Sequence, residues 1–314
     1  MRVAQDLDKL KTCDSPVVLA IGFFDGVHKG HQAVIEATQQ LAREHDAEPW
    51  LLTFDPHPLK TIRPAAAPPL LTSTPHKLRL FEELGLAGVI VQEFNTQLRE
   101  TEAADFLSML SRAMPKLRHV VVGENWTFGH NRHGTTDTLE HLTKDLSFDV
   151  SRVSPVKWGE EPISSTRIRK AVGSGDLKSA ATMLGRSFSI FGDVVHGDKV
   201  GRALGFPTAN IDPHNEVHPP DGIYAALAKV EDKVHQAAAY VGHRPTLNDG
   251  TGPWVVEAHL MDLNTDLYGQ LIEVLFIEKI RDDLQFESRE LLIAQIGKDV
   301  SDAREMLSKK TTHE

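Results

Sequence analysis

The sequence has little cysteine and no long hydrophobic run. Cys13 is the one cysteine among 314 residues, so the chain cannot form an internal disulfide, a usage typical of a reducing compartment. No apolar stretch approaches the roughly 20 residues of a membrane helix. The apolar run "VVLAIGFF", residues 17–24, is too short for a secretory signal and runs into Asp25. We therefore expect a cytoplasmic protein with no membrane partner.

Basic residues are also in deficit. The chain has 34 Lys and Arg against 44 Asp and Glu, which gives a formal net charge of −10. This balance argues against wide contact with a phosphate backbone, so no nucleic-acid partner is expected. A local basic site could still bind a small phosphorylated molecule.

Length and composition suit two ordinary globular domains. Hydrophobic residues make up 40% of the chain and charged residues 25%, values typical of soluble domains. A chain of 314 residues is longer than one average domain. The pattern of apolar segments changes near residues 183–187, so we predict domains over 1–184 and 185–314.

The first half alternates apolar strands with amphipathic helices. Strands are predicted over residues 17–23, 49–54, 88–94, 118–124 and 148–155. Helices are predicted between them, including 76–86 and 102–112. Continuous apolar strands separated by helices indicate a parallel sheet covered on both faces, hence a Rossmann-like α/β fold. The proline-rich stretch 63–70 is either a mobile flap or a plain connection.

The second half is dominated by strand patterns. Candidates over residues 223–230, 234–241, 254–263 and 271–277 are separated by turn residues, as in an antiparallel barrel or sandwich. We predict the antiparallel β-barrel. A terminal helix is indicated by one apolar stripe, which consists of Leu292, Ile296, Val300, Ala303 and Leu307.

The stretch "GFFDGVHKGH", residues 22–31, joins the first predicted strand to a helix. Ligands of open α/β sheets bind at the carboxyl ends of strands, and a helix N-terminus favours negative charge. His28 and His31 could donate hydrogen bonds to phosphate oxygens there. The negative Asp25 is compatible with a bound triphosphate only if it supports the turn or binds a metal. Taken alone, the ten residues fit a tight turn with capping histidines better.

Three further segments follow strand ends of the same predicted sheet. "TFDPHP" places His57 between two prolines, and "VGENWTFGHNRHG" offers Asn125 beside aromatic rings. "ISSTRIRKAV" puts hydroxyls at a helix start with arginines behind them, a combination that suits pyrophosphate. Each has a structural alternative: Ser164 as a helix cap, Trp126 as core, Arg169 as a solvated charge. Because all four segments fall at one sheet edge, a shared ligand site explains them better than four independent structural roles do.

The order of these segments resembles the N-terminal module of the bacterial bifunctional riboflavin kinase/FMN adenylyltransferase family. That module is a nucleotidyltransferase, and its HxGH motif corresponds to residues 28–31. The resemblance implies ATP with His28 and His31 near its phosphates, and FMN near His57 and Asn125. Phe23 stands where many relatives have asparagine. The implied ATP-phosphate contacts are Gly22, Phe23, Asp25, Gly30, Ser164, Ser165, Thr166 and Arg169.

The most informative stretch of the second half is "HGDKVGRALGFPTANI", residues 196–211. Gly197, Gly201 and Gly205 make a pliant loop before Thr208 and Asn210, which face one side of an extended segment. Two neutral oxygens suit Mg²⁺, which substrate phosphates and water usually complete. On its own, "PTAN" fits a turn better.

Four later segments extend this pattern: "GIYAA", "VGHRPT", "VVEAHLMDLNTDLYG" and "FIEKIRDDLQFES". Their order resembles the riboflavin kinase module of the same family. The resemblance implies Glu257 as catalytic base, with Mg²⁺ at Thr208 and Asn210 and ATP phosphates against the glycine loop. Without the other motifs, Glu257 fits an exposed sheet carboxylate. Arg281 either contacts the flavin or forms a surface ion pair, and Tyr240 stands where relatives usually have asparagine.

The two resemblances cover nearly the whole chain and imply a two-step enzyme. It would phosphorylate riboflavin to FMN and then adenylylate FMN to FAD, with ATP and Mg²⁺. One rival is a single-function nucleotidyltransferase with an inactive barrel, and another is a non-catalytic flavin-binding protein. An RNA-binding role, suggested by the HxGH theme of tRNA synthetases, is opposed by the acidic balance. A homo-oligomer is compatible with the sequence, which leaves the oligomeric state open.

Overall fold

The chain forms two compact units. The computed structural model describes residues 1–7, 10, 15–143, 146–197, 200–214, 216–243, 254–263 and 265–311. Cys13 and residues 244–246 of "VGHRPT" lie outside these ranges. Unit 1 comprises Met1–Pro69 and Thr74–Ser164, and unit 2 comprises Leu70–Ser73 and Ser165–Glu314.

Unit 1 is built on a parallel sheet. Its sheet strands are β1 (Arg2–Gln5), β2 (Val17–Ile21), β3 (Glu48–Asp55), β4 (Gly88–Glu93), β5 (Leu117–Gly123) and β6 (Asp149–Val153). Their spatial order is β1-β4-β3-β2-β5-β6, and every neighbouring pair is parallel. The helices are α1 (Lys29–Glu44), α2 (Pro58–Ile62), α3 (Thr74–Glu83), α4 (Thr96–Glu100), α5 (Ala103–Ala113) and α6 (Thr136–Leu142).

Alternation along the central strand explains why both sheet faces are covered. All five residues of β2 are buried. Leu19 and Ile21 join one apolar core, while Val18 and Ala20 join the core on the opposite face. The predicted Rossmann-like α/β fold is confirmed.

The sequence pattern missed the edges of unit 1. Strand β1 has four residues, mostly exposed, and it pairs with β4 along one margin of the sheet. A short antiparallel hairpin of β7 (Lys157–Trp158) and β8 (Glu161–Pro162) follows the sheet. Short exposed strands carry no apolar run, so periodicity does not reveal them. In the proline-rich stretch, Pro64–Ala66 forms a 3₁₀ turn.

Unit 2 contains a closed antiparallel barrel. Its strands are β9 (Ser189–Val195), β10 (Ala209–Pro213), β11 (Gly222–Val230), β12 (Lys233–His243), β13 (Trp254–Leu260) and β14 (Leu271–Arg281). They close in the order β10-β13-β12-β11-β14-β9. The helices are α7 (Ser165–Gly173), α8 (Leu177–Leu184), α9 (Val200–Ala203) and α10 (Arg289–Thr311). The predicted barrel and terminal helix are confirmed.

Helix α10 packs on the barrel through the end of its predicted stripe. Ala303 and Leu307 are buried with Ala225 and Met261, and Val300 packs against the same cluster. The sequence pattern predicts four of the barrel strands but not β9 and β10, which complete the closure.

None of the helices among the described residues is long and apolar enough to cross a membrane.

Candidate active sites

In unit 1, the turn after β2 has an unusual backbone. Phe24, Gly26 and Val27 have φ angles of 58°, 82° and 42°, in the left-handed region that non-glycine residues rarely adopt. Such conformations persist only where the surroundings hold them, and they cluster at ligand sites. The turn lies at the carboxyl edge of the parallel sheet and leads directly into α1.

The two histidines of this turn stack at the start of α1. His28 is the N-cap, and its Nδ1 accepts a hydrogen bond from the backbone N–H of His31 at 3.3 Å. The ring centroids of His28 and His31 lie 3.6 Å apart. A neutral imidazole that accepts at Nδ1 carries its hydrogen at Nε2, so the cap leaves His28 in a donor tautomer. A Cβ on Gly30 would lie 3.1 Å from the His28 ring, so a small residue suits this position.

His57 is held in a similar way at the end of the neighbouring strand. Its Nδ1 accepts from the backbone N–H of Leu59 at 3.0 Å and caps α2. Its ring meets the Phe23 ring edge-on, with centroids 4.2 Å apart. The structure therefore brings together "GFFDGVHKGH" and "TFDPHP", as the shared sheet edge predicts.

The other residues predicted from these motifs fall partly in unit 1 and partly in unit 2. Asp25 is buried, Asn125 is exposed after β5, and Ser164 is the last residue of unit 1. Ser165 begins α7 in unit 2, and Thr166 and Arg169 lie on that helix.

Lys77 is a residue of this region that the sequence analysis missed. It lies on α3 among buried residues, and its Nζ donates to the Phe23 carbonyl oxygen and to Thr53 Oγ1, each at 3.2 Å. The sequence did contain a clue, because Lys77 shares an apolar stripe with Leu80 and Phe81.

In unit 2, the residues predicted for metal binding and proton transfer lie together. Asn210 of β10 and Glu257 of β13 are direct cross-strand partners. Thr208 donates a hydrogen bond from Oγ1 to Glu257 Oε2 at 3.2 Å. Thr208 and Asn210 line one cleft, with about 680 Å³ of empty space that includes open solvent, together with Arg202.

The glycines before this segment are fitted to it. A Cβ on Gly197 would overlap the Asn210 carboxamide, and a Cβ on Gly201 would lie 3.0 Å from Thr208 Oγ1. Gly205 has a φ of 91°, which glycine adopts without steric cost. Gly197 and Gly201 are therefore packed against the two oxygen donors.

Arg281 is engaged by the terminal helix. Its Nε and Nη2 donate to Asp299 at 2.7–3.2 Å, and Nη1 donates to the Asp282 carbonyl oxygen at 2.9 Å. The ion pair is thus present, although with a buried partner on α10 rather than at the open surface.

Tyr240 adjoins the candidate base. It is the cross-strand partner of Glu257, and its hydroxyl donates to Asp283 Oδ2 at 3.2 Å. Burial, with the neighbouring carboxylates, raises the pKa of Tyr240, so the phenol remains protonated at neutral pH.

Unit 1 is a parallel α/β unit whose strand-to-helix turn suits phosphate binding. Unit 2 is a barrel that holds a carboxylate beside neutral oxygen donors. Together they define a class of phosphate-transfer enzymes. The FAD synthetase family model matches residues 10–167, and the riboflavin kinase family model matches residues 184–307. The chain therefore belongs to the bifunctional riboflavin kinase/FMN adenylyltransferase family.

Relatives of known name share nearly the full length. The bifunctional riboflavin kinase/FMN adenylyltransferase of Escherichia coli K12 is 36% identical, with 92% of each chain covered. The enzyme of the same name from Buchnera aphidicola is 32% identical, with 96% of each chain covered. A crystal structure from Streptococcus pneumoniae, described as a macrolide-efflux protein, has a TM-score of 0.81 and 28% identity, covering 97% of this chain and 99% of that one.

Proposed function

We propose that this chain carries out two successive steps of FAD synthesis. It phosphorylates riboflavin with ATP to give FMN, and it adenylylates FMN with a second ATP to give FAD and pyrophosphate. The observation that carries this conclusion is the match of both family models to separate parts of one chain, where the second part contains the Thr208, Asn210 and Glu257 cluster.

We assign adenylylation to the N-terminal part. A phosphate oxygen of FMN attacks the α-phosphorus of ATP, and the bond to pyrophosphate breaks. Because both reactants are anions, the site must screen their repulsion and stabilise charge on the leaving pyrophosphate. The donor tautomer of His28 and the stacked His31 support placing the ATP phosphates at this turn.

Other contacts in this site follow from the family motifs and the turn geometry. The backbone of Gly22, Phe23 and Gly30 would approach the phosphates. The buried Asp25 remains predicted beside them, either as a support of the turn or as a metal ligand. Ser164, Ser165, Thr166 and Arg169 remain predicted phosphate ligands. His57, packed on Phe23, and the exposed Asn125 remain predicted on the FMN side.

We assign phosphorylation to the C-terminal part. Glu257 accepts the proton of the riboflavin 5′-hydroxyl as that oxygen attacks the γ-phosphorus, and ADP leaves. Phosphoryl transfer depends mainly on positioning and charge screening, so one carboxylate and one cation suffice. Gly197, Gly201 and Gly205 form the predicted phosphate loop.

The donor set fits Mg²⁺. Thr208 and Asn210 offer neutral oxygens in one cleft beside the Glu257 carboxylate, and Mg²⁺ prefers oxygen ligands. Bound there, the ion would supply positive charge against the ATP phosphates. Among the described residues, no group of three or more His, Cys, Asp or Glu could hold a metal.

Two finer assignments belong to this proposal. The functional division remains predicted at 184/185, one residue inside the riboflavin kinase match, which begins at residue 184. The flavin contact predicted for Arg281 has no support in its hydrogen bonds, which favour the ion-pair alternative.

Separation of the flavins formed from riboflavin, ATP and Mg²⁺ by the purified chain tests the proposal. We expect FMN to appear first and FAD to follow. Accumulation of FMN without FAD would remove the N-terminal assignment. Conversion of supplied FMN alone, with riboflavin untouched, would support a single-function nucleotidyltransferase.

A further inference from the structure

Lys77 is a charged side chain enclosed by unit 1. It is 1% exposed, although lysine is almost never fully buried unless it is paired. Removing an ammonium group from water is costly, and the cost is offset only by good partners. A lysine kept in such a place therefore calls for a specific set of partners.

Those partners belong to the two segments that form the candidate ATP site. The Phe23 carbonyl oxygen, in the turn after β2, accepts from Lys77 Nζ, and so does Thr53 Oγ1 on β3. Thr53 itself donates to the same Phe23 carbonyl at 3.0 Å. The ammonium also lies 4.2 Å from the centroid of the Phe23 ring. One side chain thus fastens the turn to the adjacent strand.

Phe23, whose carbonyl oxygen Lys77 binds, immediately precedes the strained backbone of the turn. Phe24 and Val27 hold left-handed φ angles that surrounding contacts must maintain. His28 follows at once as the cap of α1. A shift at Phe23 would therefore be transmitted to the histidine that faces the phosphates in the proposed function.

The charge of Lys77 also has a counterpart in the turn. Burial lowers its pKa to about 8, while Asp25 and Asp55 act in the opposite direction, and the group remains largely protonated at neutral pH. Asp25 is itself 2% exposed. A buried carboxylate near a triphosphate site would repel ATP, and the neighbouring ammonium offsets that negative charge.

We infer that Lys77 is a positioning residue for adenylyl transfer, which fixes the Phe23 carbonyl and balances Asp25 so that the turn can accept the ATP phosphates. This inference rests on the proposed function of the N-terminal part. No contact between Lys77 and ATP is required, because the lysine acts through the turn.

The test compares steady-state adenylylation of FMN by the full-length wild type and by Lys77→Met, which keeps the chain length and removes the charge and donors. We expect the KM for ATP to rise at least tenfold, the KM for FMN to change little, and kcat/KM for ATP to fall on the order of 100-fold, a typical result of misplacing a site by about 1 Å. The riboflavin kinase activity of the same chain should be unchanged.

Two matched variants complete the design. Lys116→Met removes the same charge from an exposed position before β5, at the opposite edge of the sheet, and should leave both activities unchanged. Thr53→Val removes one partner of Lys77 and should raise the KM for ATP in the same direction by a smaller factor. Asp25→Asn added to Lys77→Met should lower the KM for ATP, because it removes the unbalanced carboxylate.

The outcomes separate the explanations. A purely structural role lowers the active fraction and hence kcat, while the KM for ATP stays unchanged, and that result overturns the inference. If Lys77→Met also loses kinase activity, the KM for ATP of Thr53→Val becomes the test. An unchanged KM for ATP in Thr53→Val overturns the inference. Absence of FAD formation by the wild type would instead contradict the proposed function itself.

Discussion

At the scale of single residues, hydrogen-bond partners decide what the candidate groups can do. The Nδ1 atoms of His28 and His57 both accept from backbone N–H groups, so both neutral rings present Nε2–H as the donor. The sequence predicted these histidines and their shared sheet edge. It did not predict their tautomers, which depend on the folded turn.

Gly197 gives a direct residue-scale test of the kinase site. In Gly197→Ala, the new Cβ would overlap the Asn210 carboxamide and displace it. We expect riboflavin phosphorylation to fall on the order of 100-fold, since small misplacements of a catalytic group have effects of that size. FMN adenylylation should not change.

The matched control is Gly173→Ala, because no atom beyond its chain neighbours and its own helix backbone lies within 4 Å of the position that its Cβ would take. It should retain both activities. Wild-type kinase turnover in Gly197→Ala would show that Asn210 is not needed where the structure puts it.

Lys77 predicts a distinct pH dependence of stability. Its pKa is about 8 in the folded chain and 10.5 as the ordinary value. Between these values the unfolded chain binds more protons, so the free energy of unfolding rises with pH. Relative to Lys77→Met, the wild type should gain about 3 kcal/mol across that interval.

Urea unfolding at pH 7 to 11 measures this difference. In a Trp254→Phe background, tryptophan fluorescence reports unit 1 alone, because the chain has 4 tryptophans and the other three lie there. A constant difference in the free energy of unfolding between the wild type and Lys77→Met across the series would contradict the burial of the ammonium.

At the scale of elements, the register of the barrel strands aligns residues of the candidate site in a row of successive cross-strand partners. Asn210 of β10 faces Glu257, Glu257 faces Tyr240, and Tyr240 faces Ile223 of β11, which faces Arg281. Cross-strand partners project from the same face of a sheet. Sequence order reveals each motif, but register is a non-local property, so this row could not be predicted from the motifs alone.

The row predicts a role for Tyr240 in riboflavin binding. The metal-type oxygens lie on one side of Glu257 and Tyr240 on the other, so a substrate hydroxyl at Glu257 would extend the flavin past the phenol. We expect Tyr240→Asn to raise the KM for riboflavin about tenfold, equivalent to about 1.4 kcal/mol, with a small change in kcat. Initial rates over a riboflavin series would show it, and an unchanged KM would refute it.

The pairing of Arg281 with Asp299 predicts a structural coupling between β14 and α10. Arg281→Met leaves the Asp299 carboxylate buried without its ion-pair partner, which should destabilise unit 2 by about 3 kcal/mol. Adding Asp299→Leu removes that charge and should restore stability. Thermal unfolding and the KM for riboflavin are measured for both variants. A KM that stays raised in the stable double variant would instead favour the flavin contact.

Many elements with strong apolar patterns were predicted, but β9 and β10 were missed although they are largely buried. The buried strands β2 to β5 and the helix α10 were predicted because burial selects apolar side chains, as runs along the strands and as a stripe along the helix. The more exposed β6 was predicted as well. The exposed β1 was missed. Lys77 was missed because a lysine within an apolar stripe gives no indication of which polar groups lie opposite it.

At the scale of the whole molecule, the two family matches occupy successive parts of one chain, and the candidate catalytic groups divide between them. The stacked histidines belong to the parallel α/β unit, and Glu257 belongs to the barrel. If this division is correct, each activity can be removed while the other remains. Removal of a general base typically costs 10²- to 10⁴-fold in rate.

The most direct measurement is the flavin product profile of Glu257→Ala and His31→Ala, each supplied with riboflavin or with FMN, ATP and Mg²⁺. We predict that Glu257→Ala forms FAD from FMN but nothing from riboflavin, whereas His31→Ala accumulates FMN and forms no FAD. A folded variant that loses both activities equally would contradict two separate sites.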